Sequence, residues 1–148
     1  MMVWKQLNKG DVIKGTGYVF QEEVNIAALS TDQFKDHRRL RVFHQNGTKC
    51  SNPACRNIGT RLIQGVDKCG GIHWDIFTDS LILMTVDHIV SKNKGGNDYI
   101  KNLQPMCKYC NGLKGDLNVS NDELAVLYHE RTAERKVRKR ELREEADC

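Results

Sequence analysis

Two pairs of cysteines constrain the fold of this chain more than any other feature of its sequence. Cys50 and Cys55 form a C-x₄-C pair, and Cys107 and Cys110 form a C-x₂-C pair. Both spacings occur in structural zinc sites, and Pro53 favours a tight turn that would point the first two sulfurs inward. We therefore expect one four-thiolate zinc to join the two segments and to supply much of the folding energy. The alternatives are two unrelated thiol pairs or disulfides.

The other two cysteines are expected to take no part in that site. Cys69 is a rival ligand because the neighbouring Gly70 and Gly71 would allow a turn, but it lacks a paired cysteine. We expect a partly buried free thiol there. Cys148 ends the sequence, and we expect it to be exposed.

Composition favours a single globular domain in a reducing compartment. The 148 residues allow an ordinary core with terminal arms. We find neither the apolar core of a secretory signal nor a stretch of roughly 20 apolar residues, so a cytoplasmic protein without a membrane partner is expected. The formal charge is +4, and four zinc-bound thiolates would reduce it to about +2. Nucleic-acid binding must therefore be argued from local residues.

A second group of polar residues follows the apolar stretch at residues 81–86. Asp87 and His88 come directly after it, and Asn111 comes directly after the second cysteine pair. Carboxylate and carboxamide oxygens are hard ligands of the kind that Mg²⁺ prefers. Histidine can accept a proton near neutral pH. Because a divalent cation and a general base together meet the demands of phosphodiester hydrolysis, the segment predicts that reaction.

Residues 50–116 resemble the HNH endonucleases, also called His-Me finger or ββα-metal nucleases. The resemblance depends on four motifs in order: DHI at 87–89, the Gly95-Gly96 pair, NLQ at 102–104, and C-x-x-C-N-x-x-K at 107–114. It implies an α+β fold with a small zinc-stapled ββα-metal core and flanking helices. It also implies DNA as the substrate, Zn²⁺ as the structural metal, and Mg²⁺ or Mn²⁺ as the catalytic cofactor.

The resemblance assigns a role to each motif residue. His88 would be the general base, while Asp87 and Asn111 would bind the catalytic Mg²⁺ or Mn²⁺. Asn102 would brace the backbone around the histidine. Many members have histidine at the position of Asn111, so the chain would be an H-N-N variant. The family reaction would leave a 5′ phosphate.

Two other functions fit part of the same pattern. A catalytically silent, zinc-stabilised DNA-binding module would keep the cysteines but would have no need for Asp87, His88 and Asn111. A nuclease that acts on branched DNA or RNA would share the catalytic core. The resemblance to phage or mobile-element members would place the protein in the cytoplasm of a bacterial or phage-infected host cell. It would also allow a homodimer or a larger phage or mobile-element assembly.

Local patterns divide the chain into three parts. Residues 1–29 are expected to form an N-terminal arm with short strands, residues 30–118 the HNH nuclease domain with its zinc knuckles, and residues 119–148 a charged C-terminal helix. The apolar patterns at 60–66, 73–78 and 81–86 predict strands.

Capping signals predict where the helices begin. Ser30 and Gln33 fit a capping box that would open a helix to about Gln45, with Asn46-Gly47 as its stop. Asn111 is expected at or near the start of a short helix. Ser120 and Glu123 form a second capping box, which would open a helix that extends past Arg140.

Three basic residues are candidates for contacts with DNA. Lys114 lies one helical turn after Asn111 and would reach a phosphate near the metal. Arg38 and Arg39 lie on the predicted helix that precedes the first cysteine pair. For all three, the alternative is an ordinary solvated side chain.

Overall fold

Six antiparallel strands form one sheet in which neighbours in the sequence are also neighbours in space. The computed structural model describes residues 4–147, so the expectation for Cys148 lies outside the described residues. The strands are β1 (Val12–Ile13), β2 (Tyr18–Val24), β3 (Arg61–Val66), β4 (Ile72–Phe77), β5 (Leu83–His88) and β6 (Leu103–Cys107). The α-helices are α1 (Arg38–Asn46), α2 (Lys108–Lys114) and α3 (Asn121–Ala146). The α+β class expected from the sequence is confirmed.

The strands expected from local patterns are confirmed. The short strands β1 and β2 form in the N-terminal region, and β2 pairs with β3 from Val19↔Val66 to Val24↔Leu62. The N-terminal region therefore contributes two strands to the main sheet. Division of the chain at residues 29 and 118 stays a prediction.

Both faces of the sheet are covered by apolar side chains. Successive residues of a strand point to opposite faces, and Leu62 and Ile76 belong to one core cluster while Ile63 and Phe77 belong to another. The first cluster also contains all four paired cysteines and Leu40 and Phe43 of α1. The metal-ligand candidates are therefore part of the larger core.

The first α-helix begins later than the sequence predicted. Ser30 ends a short 3-10 helix, and its hydroxyl donates to the Ala27 carbonyl at 3.0 Å instead of capping a new helix. The α-helix begins at Arg38, where the preceding His37 accepts from the Leu40 N–H at 3.3 Å. The predicted stop is confirmed, because Gly47 follows the last residue with φ of 81°.

The second helix begins earlier than expected because a cysteine caps it. The Cys107 sulfur accepts from the Cys110 N–H at 3.4 Å, so α2 starts at Lys108 and Asn111 lies in its middle. The last helix begins as predicted, with both hydrogen bonds of the Ser120–Glu123 capping box present. Among the helices that residues 4–147 form, none has the length and hydrophobicity needed to cross a bilayer.

Candidate active site and metal centre

The four paired cysteines meet in the core. Their sulfur atoms all lie within 4.8 Å of one another, and all four residues are buried. The Cys55 and Cys107 sulfurs are 3.8 Å apart. A disulfide bond would be about 2.05 Å long, whereas a tetrahedron with zinc–sulfur bonds of about 2.3 Å has sulfurs roughly 3.8 Å apart. All four cysteines are free, and together they form a group that could hold a metal.

Each of these sulfurs also accepts a hydrogen bond from an N–H group, which favours thiolates. The pairs, all at 3.4 Å, are Cys107 N to Cys50, Asn57 N to Cys55, Cys110 N to Cys107, and Asn52 Nδ2 to Cys110. Hydrogen bonding with Cys110 lowers the pKa of Cys107, whereas hydrogen bonding with Cys107 raises the pKa of both Cys50 and Cys110. Such crowded thiols resist full ionisation unless a cation neutralises them.

Cys69 stands apart from this group. It lies on the hairpin between β3 and β4, is free, and is exposed. The expected free thiol is confirmed, but the expected partial burial is wrong. Asp67 arranges this turn by accepting from the N–H groups of Cys69 and Gly71, both at 2.8 Å, which leaves the Cys69 side chain in solvent.

The carboxylate of Asp87 is buried at the end of β5, where two side chains bind it. Its Oδ2 accepts from Lys114 Nζ at 2.6 Å and from Gln104 Nε2 at 2.9 Å. Lys114 Nζ also donates to the His88 carbonyl at 2.9 Å. Because Lys114 is only 2% exposed, it is not the solvated surface side chain that was the alternative to a phosphate contact. It neutralises Asp87 inside the protein.

The ring of His88 is held by a carboxylate from the following loop. His88 Nε2 is 2.8 Å from Asp98 Oδ1, and Lys92 Nζ is 3.1 Å from the same oxygen. The hydrogen bond with His88 lowers the pKa of Asp98, which keeps this partner ionised. Asp98 therefore fixes the orientation of the histidine.

Asn102 joins the two ends of the loop that follows His88. Its Oδ1 accepts from the Val90 N–H at 2.9 Å, and its Nδ2 donates to the carbonyls of Val90 at 3.1 Å and Asn97 at 2.8 Å. Gly96 is needed in this loop because an added Cβ would lie 1.7 Å from the Val90 carbonyl oxygen. These contacts are the ones that a bracing role for Asn102 requires.

Asn111 contacts β5 from the middle of α2. Its Nδ2 donates to Thr85 Oγ1 at 2.7 Å, and Thr85 Oγ1 donates to the Met106 carbonyl at 2.7 Å. The amide nitrogen is therefore occupied, and the amide oxygen is the atom left to bind a cation.

Asp87, His88 and Asn111 line one cleft of about 350 Å³. It is the candidate active site, and we call it the active-site cleft. Ser91 and Asp116 also line it. The Ser91 hydroxyl is buried and has no hydrogen-bond partner among residues 4–147. Oxygen donors from a carboxylate and a carboxamide, beside an unpartnered hydroxyl, fit a hard divalent cation. The fold thus brings the three motif residues together.

Comparison with known proteins agrees with this geometry. Residues 77–117 match the family model of the HNH endonucleases. These residues are similar to an HNH endonuclease domain. The match includes the second cysteine pair but not Cys50 and Cys55, so it is shorter than the range of 50–116 expected from the motifs. No curated protein and no solved structure matched the chain. As its name states, the matched family consists of nucleases, whose substrates are nucleic acids.

A second cleft borders His88 and contains two of the predicted basic residues. It has a volume of about 400 Å³, and its lining includes His88, Arg38 and Arg39. Arg38 donates to the Asp98 carbonyl, and Arg39 pairs with the buried carboxylate of Asp75. Burial raises the pKa of Asp75, while the charge of Arg39 opposes that shift. Both arginines thus lie beside the active-site cleft.

Sequence reasoning missed the side chains that hold the HNH residues in place. Gln104 donates to Asp87, and the two residues are directly opposed on β6 and β5. A correct register for these two strands would have predicted the contact. Asp98 holds His88 from a polar loop with no regular periodicity. Its only sequence signal was its place just after the Gly95-Gly96 pair.

Proposed function

We propose that the protein is a metal-dependent endonuclease that hydrolyses DNA phosphodiester bonds with His88 as its general base. The observation that carries this proposal is the convergence of Asp87, His88 and Asn111 on one cleft within the HNH domain. A silent zinc module would need the cysteines but would have no use for this set of side chains.

The four cysteines would hold Zn²⁺ with a structural role. Cys107 ends β6 and caps α2, and Cys110 lies on α2. A metal bound there would tie α2, with Asn111, to the segment that carries Cys50 and Cys55. The position of Asn111 relative to β5 would then depend on the folded metal centre.

Asp87 and Asn111 would hold Mg²⁺ or Mn²⁺. When bound, the cation neutralises charge on the phosphate and on the leaving oxygen. Asp87 Oδ2 already accepts from Lys114 and Gln104, so Oδ1 and the Asn111 amide oxygen are the atoms offered to the cation. The buried ammonium of Lys114 also supplies positive charge beside the scissile group.

His88 would accept the proton of the attacking water. With its Nε2–H donating to the Asp98 carboxylate, Nδ1 keeps the lone pair and becomes the base. The water oxygen bonds to phosphorus and the bond to the 3′ oxygen breaks, which leaves the 5′ phosphate implied by the family resemblance. Asn102 acts through the loop by holding the backbone next to His88.

Nicking of supercoiled plasmid, with and without added Mg²⁺ or Mn²⁺, tests this function. His88→Ala should slow cleavage by about 10²–10⁴-fold, whereas its zinc content and melting temperature should match the wild type. His44→Ala, which removes an exposed histidine on α1, is the matched control and should cleave normally. Asp87→Ala and Asn111→Ala should weaken the dependence of cleavage on added Mg²⁺, because each removes a proposed ligand of the cation.

Contaminating nuclease must be excluded by purifying all variants in parallel. If His88→Ala then nicks plasmid at the wild-type rate, the proposed mechanism is wrong. The silent zinc module would become the better account of the chain.

A further inference from the structure

A larger cleft lies away from the HNH residues, and we call it the distal cleft. Its volume is about 750 Å³, and it is formed by the β1–β2 turn, the start of β5, α2 and α3. The proposed reaction makes no use of it.

The polar lining of the distal cleft is cationic. Its charged residues are Lys14, Lys108, Arg131 and Arg135. No carboxylate lines the cleft, and none of the four cations forms an ion pair within residues 4–147. Lys108 Nζ donates to the Gly15 carbonyl, and the Arg135 guanidinium lies 4.6 Å from the centre of the Tyr109 ring. These charges would attract an anion and would themselves be neutralised by it.

The rest of the lining is apolar. It includes Leu81, Ile82, Leu83 and Leu113. Leu81 has φ of 68°, a left-handed conformation that is unfavourable for an L-residue with a side chain. The turn holds it there through the Leu81 N–H to the Thr78 carbonyl and the Ile82 N–H to the Thr78 hydroxyl, both at 3.0 Å. The fold thus accepts backbone strain where these apolar side chains line the cleft.

A ligand that fits this lining needs an anionic part and a flat apolar part. An unpaired nucleotide has both, because its phosphates can meet the cations, Arg131 and Arg135 among them, while its base contacts the apolar side chains and the Tyr109 ring. A base in an intact duplex is paired and stacked, so it cannot enter. The duplex backbone alone would leave the apolar lining without a partner.

The same two elements carry the distal cleft and the active-site cleft. Leu83 of β5 lines the former, and Asp87 and His88 of the same strand line the latter. On α2, Lys108 lines the distal cleft and Asn111 lines the active-site cleft. Five residues of β-strand cover roughly 16 Å, a distance that a few nucleotides of one strand can span.

We propose that the distal cleft binds an unpaired nucleotide of the strand that enters the active-site cleft. The substrate class would then be nucleic acid with a single-stranded segment beside the cut, such as a flap or a branch. This conclusion rests on the proposed nuclease function.

Binding of a fluorescent single-stranded oligonucleotide of about 12 nucleotides, measured by anisotropy without added Mg²⁺, tests the site. Arg131→Gln/Arg135→Gln should weaken binding by about ten-fold and reduce the slope of log K against log salt by about 1.4, because two phosphate contacts are lost. Arg140→Gln/Arg143→Gln removes the same charge from exposed positions of the same helix outside the cleft, and it should bind as the wild type does.

A blunt duplex and polyglutamate distinguish the other occupants. Arg131→Gln/Arg135→Gln, which we call the cleft variant, should lose much less affinity for the duplex than for the single strand. Polyglutamate at equal charge should not compete with the oligonucleotide for the wild type. Three results would overturn the assignment. The two double variants could lose the same affinity for the single strand, or Arg131→Gln/Arg135→Gln could lose as much affinity for the duplex as for the single strand. Polyglutamate could also bind in a way that depends on the cleft and displace the oligonucleotide.

Cleavage assays separate this proposal from the proposed function. Wild type should cut a flapped duplex faster than a blunt one, and the cleft variant should lose that preference while it still nicks plasmid. Plasmid nicking that requires His88, without any flap preference, would reject the distal site and leave the nuclease function standing. Absence of cleavage on every substrate would reject the nuclease function instead, whatever the binding assay shows.

Discussion

Replacement of Lys114 by methionine should make the stability of this protein depend on Mg²⁺. The Lys114 and Asp87 side chains are 2% and 9% exposed, and their charged atoms are 2.6 Å apart. Methionine keeps much of the apolar stem but removes the charge, which leaves the buried carboxylate uncompensated. Breaking a buried pair in this way costs about 3–5 kcal/mol. For a domain of this size, the melting temperature should fall by roughly 6–20 °C.

A cation at Asp87 would replace the missing charge. At a Mg²⁺ concentration about 100 times its Kd, binding to the native state contributes about 2.7 kcal/mol. Lys114→Met should therefore recover a large part of the loss when Mg²⁺ is added. Wild type should gain less, because the ammonium of Lys114 and the cation share one carboxylate. Thermal denaturation followed by circular dichroism, with the zinc retained, measures both effects.

Two variants control this experiment. Lys114→Met/Asp87→Asn has no buried carboxylate to neutralise, so it should be more stable than the single variant and should not respond to Mg²⁺. Lys101→Met removes an exposed lysine and should melt as the wild type does. If Lys114→Met gains no more from Mg²⁺ than the wild type gains, Asp87 is not a ligand of the cation. An unchanged melting temperature without Mg²⁺ would refute the buried-pair reasoning itself.

Two further predictions concern the metal centre and the β3–β4 hairpin. Cys110→Ser should lose its zinc and its fold, while Cys69→Ser should keep about one zinc per chain by elemental analysis. Wild-type protein that is soluble and folded without zinc would contradict the proposed zinc site. The hydrogen bond from His73 lowers the pKa of Asp67, so the stability that Asp67 contributes is present above its unfolded pKa of about 3.9 and is lost as the pH falls through the lower folded value. Asp67→Asn should therefore melt below wild type near neutral pH, and the gap should close in acid; a gap that does not change with pH would exclude this linkage.

Short-range patterns were enough to predict much of the fold and of the candidate site. The strands β3, β4 and β5 and the capping box at Ser120 depend on residues close together in the chain. Cysteine spacing likewise indicated which four thiols would cluster, and the order of the motifs indicated the similarity to HNH endonucleases. Each of these features is a property of a residue type and its near neighbours, so it can be recognised before the chain is folded.

Tertiary contacts decided which partners those residues have. Lys114 and Asp87 are 27 positions apart and meet only because α2 lies beside β5, and Lys108 meets Gly15 across 93 positions. Residue spacing alone therefore left Lys114 as either a phosphate contact or a surface lysine, although the fold buries it in an ion pair. The start of α1 also differs from the one that the capping residues predicted, because Ser30 ends a 3-10 helix and its hydroxyl bonds to the Ala27 carbonyl. Local periodicity sets secondary structure, whereas the partner of a buried charge depends on how distant elements pack.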